Sequence, residues 1–227
     1  MKKKIFLGCN LLVLAGLAAC TWIYTNITGS LRMKGITAGC FVLLGLVNIV
    51  YALCTRPRRI AFPLTMCAGL TMAMLGDLLL DRNFVLGAGL FALGHVSYAA
   101  AMYIRRKLSR LDAVMTGAML LVAVCVLTFT PNLSFTDPIL QAVCCVYALI
   151  ISCMAGKAVS GFLRERTLTG GLLALGSVLF YLSDVMLLLS WFAGVGRWAD
   201  AVCLWTYFSG QGLLAHAVYH HVRNTAA

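Results

Sequence analysis

The sequence predicts an all-α integral membrane protein of about eight membrane-spanning helices. Three observations carry that reading. Of 227 residues, 62% are hydrophobic and only 11% are charged. The apolar residues fall in blocks long enough to cross ~30 Å of hydrocarbon, which needs roughly 20 helical residues. The blocks are continuous and not alternating, which argues against a barrel.

Taken in order, the first span (5–25) follows the lysines Lys2, Lys3 and Lys4. A charged start before an apolar run also describes a signal peptide. Here the run is span-length and lacks a convincing small-x-small cleavage site, so it is read as a helix. Span two (36–54) stops at Arg56-Pro57-Arg58-Arg59. Span three (61–80) runs from there to Asp81-Arg82-Asn83, and span four (84–104) to a basic group from Arg105 to Arg110. Pro131-Asn132 ends span five (113–130), and Arg164-Glu165-Arg166 follows span six (139–159). Spans seven (168–191) and eight (199–219) complete a single polytopic domain, 1–227. No connection is long enough for a soluble domain.

The net charge of +11 raises nucleic acid as a partner, but the distribution speaks against it. With the N-terminus inside, 14 of the 18 basic residues fall on the cytoplasmic side; Arg32, Lys34, Arg82 and Arg197 fall outside. That asymmetry puts both termini in the cytoplasm, and the charge suits anionic lipid headgroups. The short basic start and compact connections suggest a bacterial cytoplasmic (inner) membrane. Ten cysteines lie in or beside apolar spans with no C-x-x-C pair. They read as small packing residues.

Two halves echo each other. MLGDLLL at 74–80 resembles YLSDVMLLL at 181–189, which sets Asp77 opposite Asp184, 107 positions later. In the following spans Phe91, Gly94, His95 and Tyr103 match Tyr207, Gly210, Gln211 and Tyr219, each 116 positions later. Spans three and seven run the same way, as do four and eight. The expectation is a 4+4 parallel internal repeat, with halves at about 1–107 and 108–227 and a shared site between them.

Seven acidic residues are present. Asp81, Asp112, Asp137, Glu165 and Asp200 stand at span ends or in connections, where solvated caps explain them. Asp77 and Asp184 stand inside apolar blocks, where an ionisable residue points to function. At helical rise they lie ~9 and ~6 Å outward of their helix centres, a similar depth in the outer half. Ser177, Tyr181 and Asp184 share one helix face, as do His95 with Tyr98 and Tyr207 with Gln211. These faces predict an internal polar cavity. His216 and His220 are spaced for a metal, but further ligands are missing, so no metal and no cofactor is expected. They read as a helix end facing headgroups.

At these residues the chain resembles the YhhN-like lysoplasmalogenase family. The likeness is clearest in LGDLLL with FALGHVSYAAAMY, in GSVLFYLSDVMLL, and in WTYFSGQGLL. Lys34 stands where the family commonly has a lysine, though Gly35 follows it instead of the common proline, and Tyr147 matches a family tyrosine. The resemblance implies a hydrolase that cleaves the vinyl ether of a lysophospholipid to a fatty aldehyde and glycerophosphocholine or glycerophosphoethanolamine. No metal is implied.

A vinyl ether yields to acid: carbon is protonated, an oxocarbenium ion forms, and water adds. Paired carboxylates serve glycosides, whose transition state is similar. Burial and a neighbouring carboxylate both disfavour ionisation, so Asp77 and Asp184 are expected to hold one shared proton. One would be the acid and the other the base or electrostatic stabiliser. His95, Tyr98, Tyr147, Tyr181, Ser183, Tyr207 and Gln211 are expected to hold substrate or water, and Lys34 to meet the phosphate. The expected partners are a lysophospholipid and membrane lipids, with no nucleic acid. The alternative is a proton-coupled transporter or lipid-handling protein using the same aspartates.

Overall fold

The computed structural model describes residues 2–55 and 60–225. The Arg56-Pro57-Arg58-Arg59 connection, with its three basic residues, lies outside the described residues. Eight α-helices make up the described chain: α1 Lys2–Ile23, α2 Leu31–Thr55, α3 Ala61–Leu80, α4 Phe84–Arg105, α5 Arg110–Phe129, α6 Pro138–Glu165, α7 Leu168–Phe192 and α8 Arg197–Thr225. A π-helical turn, Tyr24–Thr28, extends α1 and closes at Gly29 with φ +54°. That backbone conformation favours a residue without a Cβ.

Polar residues mark the helix starts. The Asn83 side chain accepts from the Leu86 amide, Asp137 from Ile139 with Pro138 at the first helical position, and Thr167 from Gly170. Each satisfies an amide that the helix itself leaves open. Span three is met at both ends. The others start earlier or run later than the sequence expectation, most of all α6 and α8, which continue to Glu165 and Thr225, while α5 stops one residue short of its expected end, at Phe129.

Seven of the eight helices are long and apolar enough to cross a membrane; α8 is not among them, although it has 29 residues. The reason is its setting. Helix α8 packs against α1, α2, α3 and α7, and Tyr207, Gln211, His216, His220 and His221 are all buried. A helix covered by other helices can carry polar groups that lipid would penalise. At the other extreme, α5 packs mainly on α6 and leaves most of its surface outward.

Close backbone approach fixes two helix pairs. A Cβ on Gly94 of α4 would lie 3.3 Å from Gly69 O, 3.5 Å from Ala73 N and 3.7 Å from Met72 Cβ on α3. A Cβ on Gly210 of α8 would lie 2.8 Å from Gly176 O, 3.2 Å from Phe180 N and 3.4 Å from Leu179 Cβ on α7. Small residues let helix backbones meet this closely in a membrane. Between these pairs, α4 reaches across to α6 and α8 reaches across to α2.

Several charges sit differently from the sequence expectation. Asp112 is buried, accepts from Lys157 Nζ at 2.8 Å, and is also bonded by Ser160. Lys157, expected among the cytoplasmic surface charges, is buried too, with its ammonium 4.2 Å from the Tyr103 ring centroid. Asp81 pairs with Lys34, Glu165 with Arg105 and Arg106, and Asp200 with Ser190. Asp137 keeps its capping role. The histidines of α8 do not face headgroups either. His216 Nδ1 lies 3.1 Å from Asn10 Oδ1, and its Nε2 lies 3.2 Å from His220 Nε2. An ion or hydrogen-bond partner brought in from a distant helix makes burial affordable.

Candidate active site

Asp77 stands one turn before the end of α3, and Lys34 one turn into α2. Lys34 Nζ lies 3.1 Å from Asp77 Oδ1 and 3.0 Å from Asp81 Oδ2, with the Lys34 and Asp77 side chains each 6% exposed. The ammonium is thus held between two carboxylates. Asp77 Oδ2 has no hydrogen-bond partner among the described residues.

Asp184 has other company. The Tyr147 hydroxyl of α6 donates to Asp184 Oδ2 at 2.7 Å, and His95 Nε2 of α4 lies 2.7 Å from that hydroxyl. His95 Nε2 is also 3.3 Å from Asp184 Oδ2, and Nδ1 faces Met154 Sδ at 3.3 Å. His95 is fully buried, while the Asp184 side chain is 11% exposed. The two aspartates therefore have separate partners, with no hydrogen bond between them among the described residues.

The exposure of Asp184 leads into a cavity of about 80 Å³ among α4, α5, α6 and α7. On that measure one water needs roughly 10–15 Å³. Its wall is apolar, from Phe84, Ala88 and Phe91 through Ala123, Val126 and Leu127 to Ala148 and Leu188. Asp184, Tyr147 and Tyr181 supply its polar groups. The arrangement is one carboxyl with a two-member proton chain behind it and a slot for apolar matter in front.

The remaining candidates divide. The Tyr98 hydroxyl donates to Gln211 Oε1 at 2.6 Å, deep in the core. The Tyr207 hydroxyl donates to Ala73 O at 3.1 Å, and Tyr181 to Met119 O at 2.7 Å. Ser183 Oγ lies 3.4 Å from Cys203 Sγ, tying α7 to α8. Ser177 is buried, and its hydroxyl has no partner among the described residues. His95, Tyr147, Tyr181 and Asp184 thus meet beside the cavity, while Lys34 and Asp77 form a second cluster.

Sequence reasoning missed Met154 and the role of Asp81. Met154 lies seven residues after Tyr147, on the same face of α6, and that spacing was its one available signal. Asp81 lies four residues after Asp77 on α3, the spacing that lets both reach one lysine.

The YhhN family profile matches residues 33–218, well over half of the chain. The chain belongs to the YhhN family. No curated protein and no solved structure matches it. The region matched in this YhhN chain contains the Lys34–Asp77 cluster, the His95–Tyr147–Asp184 cluster and the cavity wall.

Proposed function

We propose that this YhhN chain is a lysoplasmalogenase-like hydrolase that cleaves the vinyl ether of a lysophospholipid inside the membrane. The supporting observation is Asp184 at the polar end of an otherwise apolar cavity. An amphiphile with one long chain and an acid-labile bond beside its headgroup suits that slot. The chain lies along the apolar wall, and the vinyl ether meets the carboxyl.

Asp184 acts first as the acid. Its O–H bond breaks, a C–H bond forms at the alkene carbon remote from oxygen, and an oxocarbenium ion results. Water then adds to the oxocarbenium carbon and gives a proton to the Asp184 carboxylate. The hemiacetal collapses, moving its hydroxyl proton to the departing glycerol oxygen, to aldehyde and glycerophospho-alcohol. Asp77, paired with Lys34, stabilises the transient positive charge through the low-dielectric interior. Tyr181, Ser183, Tyr98, Tyr207 and Gln211 hold the helices that frame the site. Lys34, already engaged by two carboxylates, balances charge here and does not seize phosphate. No cofactor takes part in this scheme.

The two halves are read as a 4+4 parallel repeat. Contacts of Gly94 with Gly69, Met72 and Ala73 correspond to those of Gly210 with Gly176, Leu179 and Phe180, at the same offsets of 107 and 116 positions. Lys34 on α2 serves Asp77 on α3, and Tyr147 on α6 serves Asp184 on α7. On this reading both termini are cytoplasmic, the membrane is a bacterial inner membrane, and the site lies toward the outer leaflet.

The test is aldehyde release from a lysoplasmalogen by the detergent-purified protein beside Asp77→Asn and Asp184→Asn. Release by wild type, with turnover lost in folded Asp184→Asn, supports the reading. An intact ligand after prolonged incubation with several lyso-lipids favours proton-coupled transport.

A further inference from the structure

Asp184 hydrogen-bonds into a chain of side chains, whereas Asp77 pairs with Lys34. Asp184 Oδ2, the Tyr147 hydroxyl and His95 Nε2 form one chain with two 2.7 Å links. The far end of that chain is His95 Nδ1, 3.3 Å from Met154 Sδ in a fully buried setting. A thioether has no proton to give and accepts only weakly. A hydrogen on Nδ1 satisfies that contact, whereas a bare Nδ1 would set two lone pairs facing each other.

With Nδ1 protonated and Tyr147 kept as the neutral phenol, two arrangements satisfy every link. In one, Nε2–H donates to Tyr147, Tyr147 donates to Asp184, and the pair is imidazolium and carboxylate. In the other, Asp184 carries the proton and donates to Tyr147, Tyr147 donates to Nε2, and His95 is neutral. Both contain the same number of protons. They interconvert when one proton passes from Nε2 to the tyrosine oxygen and another from that oxygen to Asp184.

We propose that His95 stores the proton that Asp184 delivers, with Tyr147 as the conduit and Met154 as the group that fixes the Nδ1–H tautomer. This rests on the vinyl-ether reading for the identity of the acceptor carbon but not for the relay itself. His95 and Tyr147 are positioning residues in this scheme: neither transfers a proton to substrate. On delivery, the Asp184 O–H bond is replaced by a substrate C–H bond and His95 is left neutral. Water addition returns one proton to Asp184 and restores the chain. A buried histidine keeps the resting proton away from lipid and bulk water, where a lone carboxyl at the cavity edge would exchange it.

The corresponding residue in the second half is Gln211, which hydrogen-bonds to Tyr98 but stores no proton. That suggests the substitution. His95→Gln retains a hydrogen-bonding side chain and removes the proton store; Tyr147→Phe retains the ring and removes the conduit. The expected result for both is a loss of kcat of about 10²-fold or more, the usual scale for acid–base catalysis, with KM held. A purely structural role would leave the glutamine variant active.

A second measurement needs no substrate. Nitrogen-15 NMR of histidine-labelled whole protein in lipid nanodiscs, assigned by loss of the signal in His95→Gln, reports which ring nitrogens carry hydrogen. The expected signal in resting wild type is hydrogen on both Nδ1 and Nε2. A bare Nδ1 or Nε2 in the resting protein, or wild-type kcat in folded His95→Gln, overturns the relay while leaving the hydrolase standing. Both ring nitrogens protonated in a protein that leaves every vinyl ether intact upholds the proton store and sinks the hydrolase.

Discussion

Tyr147 on α6 and Asp184 on α7 are joined by a 2.7 Å hydrogen bond at the polar end of an apolar cavity. One helix thus supplies the hydroxyl and the next supplies the carboxyl. The second aspartate, Asp77, is held by Lys34, which Asp81 also engages, outside the cavity wall. Two acidic residues that look equivalent in sequence therefore have unequal surroundings, and the proposed reaction gives them unequal roles for that reason.

That inequality predicts different outcomes for the same substitution. Asp184→Asn removes the proton donor and is expected to reduce kcat by about 10²–10⁴-fold. Asp77→Asn retains the acid and removes a stabilising charge, so a smaller loss is expected. Single-turnover aldehyde release by both purified variants checks this. Equal residual rates would return the two carboxylates to equal standing.

The Lys34–Asp77 pair also carries stability, because both side chains are buried. Lys34→Met leaves Asp77 without its principal counter-charge, and breaking a buried pair costs about 3–5 kcal/mol. The double variant Lys34→Met with Asp77→Leu removes both charges and is expected to recover most of that loss. Thermal unfolding in one detergent, followed by circular dichroism, would show the single variant melting well below the double.

Cavity size predicts chain selectivity. Ala148 lines the cavity, and Ala148→Phe places a ring where the lipid chain is proposed to lie. Each methylene kept out of the apolar slot forfeits about 0.8 kcal/mol, or roughly fourfold in kcat/KM. The variant should lose long-chain substrates most and short-chain substrates least. A uniform loss across chain lengths would place the chain elsewhere.

Much of the fold was legible because membrane helices advertise themselves. Span three was met at both ends because charged residues bracket it tightly: Asp81 follows it directly, and three arginines precede it within a few positions. Asp77 and Asp184 stood out for the same reason, as charges inside apolar blocks. What stayed hidden were partners far apart in the chain. Nothing near Lys157 reveals Asp112, 45 positions earlier, and nothing near His216 reveals Asn10, 206 positions earlier. Both were read as surface groups because an unpartnered charge or imidazole belongs at a surface. Met154 carries no polar signature at all, so its place behind His95 required the helix packing. The polarity of α8 likewise became intelligible only once four other helices were seen to cover it.

The Asp112–Lys157 pair separates folding from chemistry. It ties the start of α5 to α6, with Ser160 as a second donor and Tyr103 of α4 against the ammonium. None of these residues lines the cavity. Lys157→Met strands a buried carboxylate, an expected cost of about 3–5 kcal/mol, whereas Lys157→Met with Asp112→Leu leaves no charge behind. Helix α5 has few other neighbours, so the single variant should loosen it first. Hydrogen exchange would show α5 amides losing protection ahead of α3 and α4. Turnover per folded molecule should match wild type in the double variant, because the proton chain and carboxyl are untouched. A double variant that folds normally but is inactive would instead tie this ion pair to the reaction, through a path the His95–Tyr147–Asp184 chain does not contain.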